Sequence, residues 1–164
     1  MARGRKRMAA SRAQPQWDCA ACGEFHRHAT AGAALRPGKQ ALTAAHRELV
    51  EGDVECSLEF DSVFRPDYPD SNRVDYLLVR KHDCAVIAVE VHPASSTGNV
   101  DDLIQKKKGT ERILEEESLE VKVTHWHWVV SGQSTTAFFA LDKYGLKLSM
   151  HGILQPRRKA RLDK

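Results

Sequence analysis

The sequence predicts an α/β fold, a mixed central sheet flanked by helices, with core elements in the order helix, strand, strand, strand, helix, strand. Three observations carry this. Residues 54–60 alternate, Val54, Cys56, Leu58 and Phe60 against Glu55, Ser57 and Glu59, which is the period of a half-buried strand. Residues 73–80 and 84–92 are two nearly continuous apolar runs joined by a short polar turn, the pattern of central strands covered on both faces. Residues 99–117 then show helical spacing and lead into a strand pattern at 121–131, which a helical crossover places parallel in the same sheet.

The elements follow in order. Residues 1–16 read as a flexible basic leader. Residues 17–37 are a short, irregular Cys/His-rich segment ending at Arg36-Pro37-Gly38. Leu42, Ala45 and Leu49 recur at helical spacing over 39–51, with Gly52 as the stop. A turn-rich loop, Arg65 to Asn72, separates the first strand from the second, and Pro93 ends the third. In the helix at 99–117, Asn99 suits the cap, Asp101 and Asp102 suit the first turn, and Val100, Leu103, Ile104 and Leu114 mark the apolar face. In the last strand Trp126, Trp128 and Val130 oppose Val121, Val123 and Val129. Residues 135–151 read as a helix weakened by Gly145, and 153–164 as a basic edge strand or tail.

Composition fits one domain with appendages: 41% of residues are hydrophobic, enough for a real core. The net charge of +3 hides an asymmetry. Arg3, Arg5, Lys6, Arg7 and Arg12 crowd one end and Arg157, Arg158, Lys159, Arg161 and Lys164 the other, leaving an acidic body. Basic tails suit contact with DNA or RNA, and an acidic body suits cation binding. The alternative is that the ends are simply solvated. No apolar run reaches the roughly 18 residues of a membrane span, and no apolar stretch follows the basic start as in a secretory signal. Cys56 and Cys84 lie in apolar strand patterns and are expected as reduced core thiols, which makes the cytoplasm the simplest setting.

Asp75, Glu90 and His92 carry the most chemistry. An apolar strand gains nothing from an isolated carboxylate, so acids on two neighbouring strands suggest a divalent-metal site. Glu90 and His92 share a face across Val91. Lys107 falls on the apolar stripe of the following helix, seven residues from both Val100 and Leu114, and either meets an anion or snorkels at the border of a solvated Lys106-Lys107-Lys108 face. The alternative for Asp75 is a strand-start residue bonded to backbone amides. Separately, Cys19-Ala-Ala-Cys22 followed by His26 and His28 resembles half of a structural Zn²⁺ site, against the alternatives of a free segment or a redox pair. His125 and His127 read as ordinary strand residues.

With Asp75 on the second strand and Glu90-Val91-His92 on the third, the chain over about residues 39–131 resembles the PD-(D/E)xK nuclease superfamily, the restriction-endonuclease-like fold. The resemblance implies a nuclease-like domain over 38–152 that hydrolyses phosphodiester bonds. It implies Mg²⁺ or Mn²⁺ held by Asp75 and Glu90, with Glu48 as an extra ligand from the first helix. Gln105, Lys107 or Lys108 would face the site, and Lys107, Lys108, Arg157 and Arg158 would contact nucleic acid. His92 stands where the superfamily keeps lysine, so it is the base or an auxiliary ligand. The alternative is a catalytically inactive module of the same fold that binds nucleic acid or a protein. A homodimer is left open.

Overall fold

The apolar runs assemble as the middle of a five-stranded sheet. The structure, a computed structural model, describes residues 16–132 and 142–163. The elements are α1 (Ala20–Arg27), α2 (Ala29–Ala34), β1 (Arg36–Pro37), α3 (Ala44–Arg47), β2 (Val50–Glu51), β3 (Val54–Glu59), α4 (Phe60–Phe64), β4 (Tyr76–Arg80), β5 (Val86–His92), α5 (Gly98–Glu116), β6 (Val123–Val130), α6 (Asp142–Met150) and β7 (Ala160–Arg161). The main sheet runs β1-β3-β4-β5-β6, and β2 and β7 form a separate parallel pair. The pairs β1–β3, β3–β4 and β4–β5 are antiparallel, whereas β5 and β6 are parallel. Helix α5 is the crossover that makes this last pair possible. The fold is therefore α/β with a mixed, helix-flanked sheet, as the sequence predicts.

Both faces of the sheet are covered. On one, Leu58, Leu77, Val79, Ala88, Trp126 and Trp128 pack with Phe25 of α1 and Leu103, Ile104 and Ile113 of α5. On the other, Tyr76, Leu78, Ile87, Val89 and Val129 pack with Leu42, Val50, Ala160 and Leu162. The two-residue alternation of β4 and β5 sorts side chains between these cores. The C-terminal segment closes the second core: Leu154 and Arg157 donate backbone N–H groups to Trp126 and Trp128, and β7 then pairs with β2.

Five expectations change. The helix expected over 39–51 shrinks to α3, capped by Thr43 Oγ1, which accepts from His46 N at 3.2 Å. Of the spaced residues only Leu42 is buried, while Leu49 is half-buried and Ala45 exposed, and turns at Gln40 and Leu42 set the path of the chain, so the apolar spacing here marks neither a long helix nor one buried face. The chain also turns into α4 at Phe60, burying Phe60 and Phe64 where strand alternation alone ended in a loop. Asn99 does not cap α5: its Oδ1 reaches back to accept from Ser95 N and Ser96 N at 3.1 and 2.9 Å. Finally, residues 17–37 are not irregular but form α1 and α2, and all four cysteines are paired, Cys19 with Cys84 and Cys22 with Cys56. The reduced state expected of Cys56 and Cys84 is thus overturned, because α1 lays its two thiols against β3 and the β4–β5 turn. Disulfides persist in oxidising compartments, so this pairing does not favour the cytoplasm. No described helix is long and apolar enough to cross a membrane. The basic leader, apart from residue 16, and the first part of the helix expected at 135–151 lie outside the described residues.

Candidate active site

Where β4 and β5 emerge from the sheet, side chains take over from the backbone ladder. The regular pairing ends at Tyr76–Val89. Beyond it, Glu90 Oε2 accepts from Asp75 N at 3.1 Å, and Asp75 Oδ2 accepts from Val91 N at 2.9 Å. The two acids are thereby clamped crosswise at adjacent strand ends. Glu90 is 2% exposed. Burial, and then the charge of Asp75, push its carboxyl up to about 7, against the opposing pull of Lys106. Lys106 Nζ donates to Glu90 Oε1 from α5. Asp75 Oδ1 has no hydrogen bond among the described residues.

His92 lies next along the same face. Because Asn99 Oδ1 is engaged by two backbone N–H groups, its Nδ2 is the end that meets His92 Nε2, at 3.0 Å. Nε2 therefore accepts, and the neutral ring carries its proton on Nδ1. Burial and the nearby Lys106 lower the His92 pKa, so the neutral form prevails at pH 7. The His92 carbonyl accepts from Trp128 Nε1 at 3.0 Å, which ties β5 to β6 at the site. A cavity of about 290 Å³ opens here, lined by Glu90 and His92 of β5, Asn99, Asp102, Leu103 and Lys106 of α5, Trp128 of β6 and Asn72.

Helix α5 is docked by two contacts onto the chain entering β4. Val74 N donates to Thr110 Oγ1 at 3.1 Å. One residue earlier in the helix, a Cβ on Gly109 would stand 2.0 Å from the Asn72 carbonyl oxygen. Glycine costs an α-helix about 1 kcal/mol relative to alanine, and here it permits the close approach. Arg73, buried, bonds Asp61 Oδ1 through Nε at 3.1 Å and so holds the other side of this entry strand.

The expected residues are placed as follows. Asp75, Glu90 and His92 come together. Lys107 does not join them: it pairs with Glu111 and lies 4.3 Å above the Trp126 ring. The cation at Glu90 is Lys106, because one residue along a helix turns the side chain by about 100°. Asn99, Asp102, Leu103 and Lys106 meet the site from α5, and Thr110 continues that side to Val74; the signal in the sequence is polar residues recurring at helical spacing beside the apolar stripe. Glu48 is exposed at the end of α3 and has no hydrogen bond or ion pair to Asp75 or Glu90 among the described residues. Lys108, Arg157 and Arg158 are exposed, and Arg158 donates to the Gly132 carbonyl at 2.9 Å.

The zinc set drawn from the sequence is not assembled. Cys19 and Cys22 point into the core as half-cystines. His28 caps α2 by accepting from Ala31 N at 3.2 Å and meets Glu117 at 3.0 Å through its other nitrogen, while the His26 ring lies tilted beside Trp17. With its cysteines joined in disulfides, the chain has no group of three or more His, Cys, Asp or Glu side chains among the described residues arranged to hold a metal. The Asp75–Glu90 pair falls below that number. A pair still suits Mg²⁺ or Mn²⁺, which bind through one or two carboxylates and take remaining ligands from water and phosphate. Two mutually repelling carboxylates, one driven toward protonation, are a donor set whose charge such a cation would balance. Comparison of the chain with protein-family models, curated proteins and solved structures finds no match.

Proposed function

We propose that the protein is a metal-dependent nuclease-like hydrolase of phosphodiester bonds in DNA or RNA. The observation that carries the reading is the crosswise clamp of Asp75 and Glu90, with Glu90 lining a cavity and Lys106 on the buried acid. Asp75 and Glu90 would hold Mg²⁺ or Mn²⁺. Such an ion, when bound, supplies an acidified water and charge stabilisation on phosphate oxygens. Lys106 supplies from α5 the ammonium that the resembled superfamily carries on the third strand, and it offsets charge gathering on the phosphate. His92, neutral with its proton on Nδ1, is suited to donate to a phosphate oxygen rather than to take a proton from water. The exposed Lys108, Arg157 and Arg158 would meet the nucleic-acid backbone, giving affinity that falls steeply with salt.

The test is cleavage of single- and double-stranded DNA and RNA by the full chain in Mg²⁺ or Mn²⁺, beside Asp75→Asn. Divalent-dependent cleavage absent from the variant supports the reading. Salt-dependent binding without cleavage in any divalent cation makes the protein a binding module of this fold instead.

Neighbouring lysines separate the roles on α5. Lys106→Ala is expected to lower cleavage by at least about tenfold, since it removes the cation beside the reacting phosphate. Lys107→Ala is expected to change it by less than about threefold, because that side chain serves Glu111 and Trp126. Parallel rate measurements on both variants check this, and the reverse order of effects would return the site to Lys107.

A further inference from the structure

We propose that, when its disulfides are reduced, the cluster of Cys19, Cys22, Cys56 and Cys84 binds one structural Zn²⁺ through four thiolates. The first turn of α1 carries one cysteine of each disulfide pair, Cys19 at its N-cap and Cys22 three residues on. Their partners come from two other segments, Cys56 within β3 and Cys84 in the β4–β5 turn, with Cα–Cα distances of 6.1 and 5.2 Å. A helical turn is about 5.4 Å high, so both disulfides leave the same turn of α1. Cys-x₂-Cys is the spacing with which two thiolates share one zinc, and once the disulfides open the two further cysteines bring the thiolates to the four that a tetrahedral site takes.

The helix end favours thiolate charge, against the opposing effect of burial. Cys19, Cys22 and Cys56 are buried to 1%, 0% and 0% exposure, so water does not compete for the metal. Helix α1 has no side-chain cap, which leaves its first N–H groups and the positive end of its dipole beside the sulfurs. Cys84 sits in the left-handed region at φ 59° in the β4–β5 turn, with its side chain joined to Cys19.

The chemistry balances simply. Each disulfide takes two electrons and two protons from a dithiol reductant, which leaves as its own disulfide. The four thiols then release four protons to the solvent as they bind Zn²⁺. The cluster would hold α1 against the β4–β5 hairpin in either redox state, by two covalent bonds or by one metal. This set differs from Cys19, Cys22, His26 and His28, and it does not depend on the nuclease reading.

The test denatures and reduces the full chain, then refolds it under a phosphine reductant with and without one equivalent of Zn²⁺. Circular dichroism, zinc by mass spectrometry and thiol titration follow. The expected result is folded protein holding one zinc per chain, with four thiols released when the metal is removed and tetrahedral thiolate bands after exchange for Co²⁺. Cys56→Ser and Cys84→Ser should each weaken zinc at least about tenfold, while His26→Ala and His28→Ala leave one zinc bound. Reduced protein that folds without taking up zinc, or that fails to fold even with zinc, overturns the proposal. So does zinc retained by both serine variants.

Discussion

Glu90→Gln is expected to lower divalent-dependent cleavage by at least about a hundredfold while making the fold relatively more stable at alkaline pH. The two effects have one origin. Glu90 is buried beside Asp75, so its carboxyl sits near 7 in the fold against an ordinary 4.5. A raised folded value means that the native state holds a proton the unfolded chain has already lost. The group's contribution is therefore fully present below about 4.5 and is lost as pH rises through about 7. Glutamine cannot titrate and escapes that loss. Between pH 5 and pH 8, in chelator, the stability of the variant relative to the natural chain should rise by about 2–3 kcal/mol. Urea unfolding at the two pH values measures this, and a pH-independent difference contradicts it.

Gly109→Ala is expected to be the most damaging small substitution on α5. The added Cβ would meet the Asn72 carbonyl oxygen at 2.0 Å, and both groups are fixed in backbone. Relief requires α5 to move off the strand that leads to Asp75. Against a propensity gain of about 1 kcal/mol, the clash should leave a net loss of about 2–4 kcal/mol. For a chain of this size that lowers Tm by roughly 5–10 °C. Activity should fall as well, because Thr110 and Val74 are drawn apart beside the site. Gly98→Ala is the control, since its Cβ would meet only Ser96 Oγ at 3.6 Å. Thermal melts of the two variants that coincide would show that the close approach does not matter.

The sheet was legible in the sequence because its signals are local. Strict alternation at 54–60 and two apolar runs with one acid each leave few other structures for those residues. The same regularity placed Glu90 and His92 on one face, and that pair lines one cavity. What was not legible depended on partners far along the chain. Nothing near Cys19 or Cys22 in sequence says that Cys84 and Cys56 lie against them, 65 and 34 residues away. The Val100–Lys107–Leu114 stripe is real, but an α-helix buried between a sheet and a loop has two inner edges. The edge through Lys106 was masked by its own polarity, because Asn99 and Thr110 look like surface residues until their backbone partners at Ser95, Ser96 and Val74 are seen. Leu42 and Leu49 mark the reverse failure, in which helical spacing arose from turns that fold the chain under the sheet.

The titration of the Glu90 carboxyl, followed by ¹³C NMR with and without Mg²⁺ or Mg²⁺-like diamagnetic ions, tests the carboxylate pair as a cation site most directly. In chelator the carboxyl should titrate near 7. With saturating Mg²⁺ it should fall by at least about two units, because a divalent charge between Asp75 and Glu90 offsets the burial and the repulsion that raise it. A Glu90 titration that Mg²⁺ leaves unmoved would contradict the site.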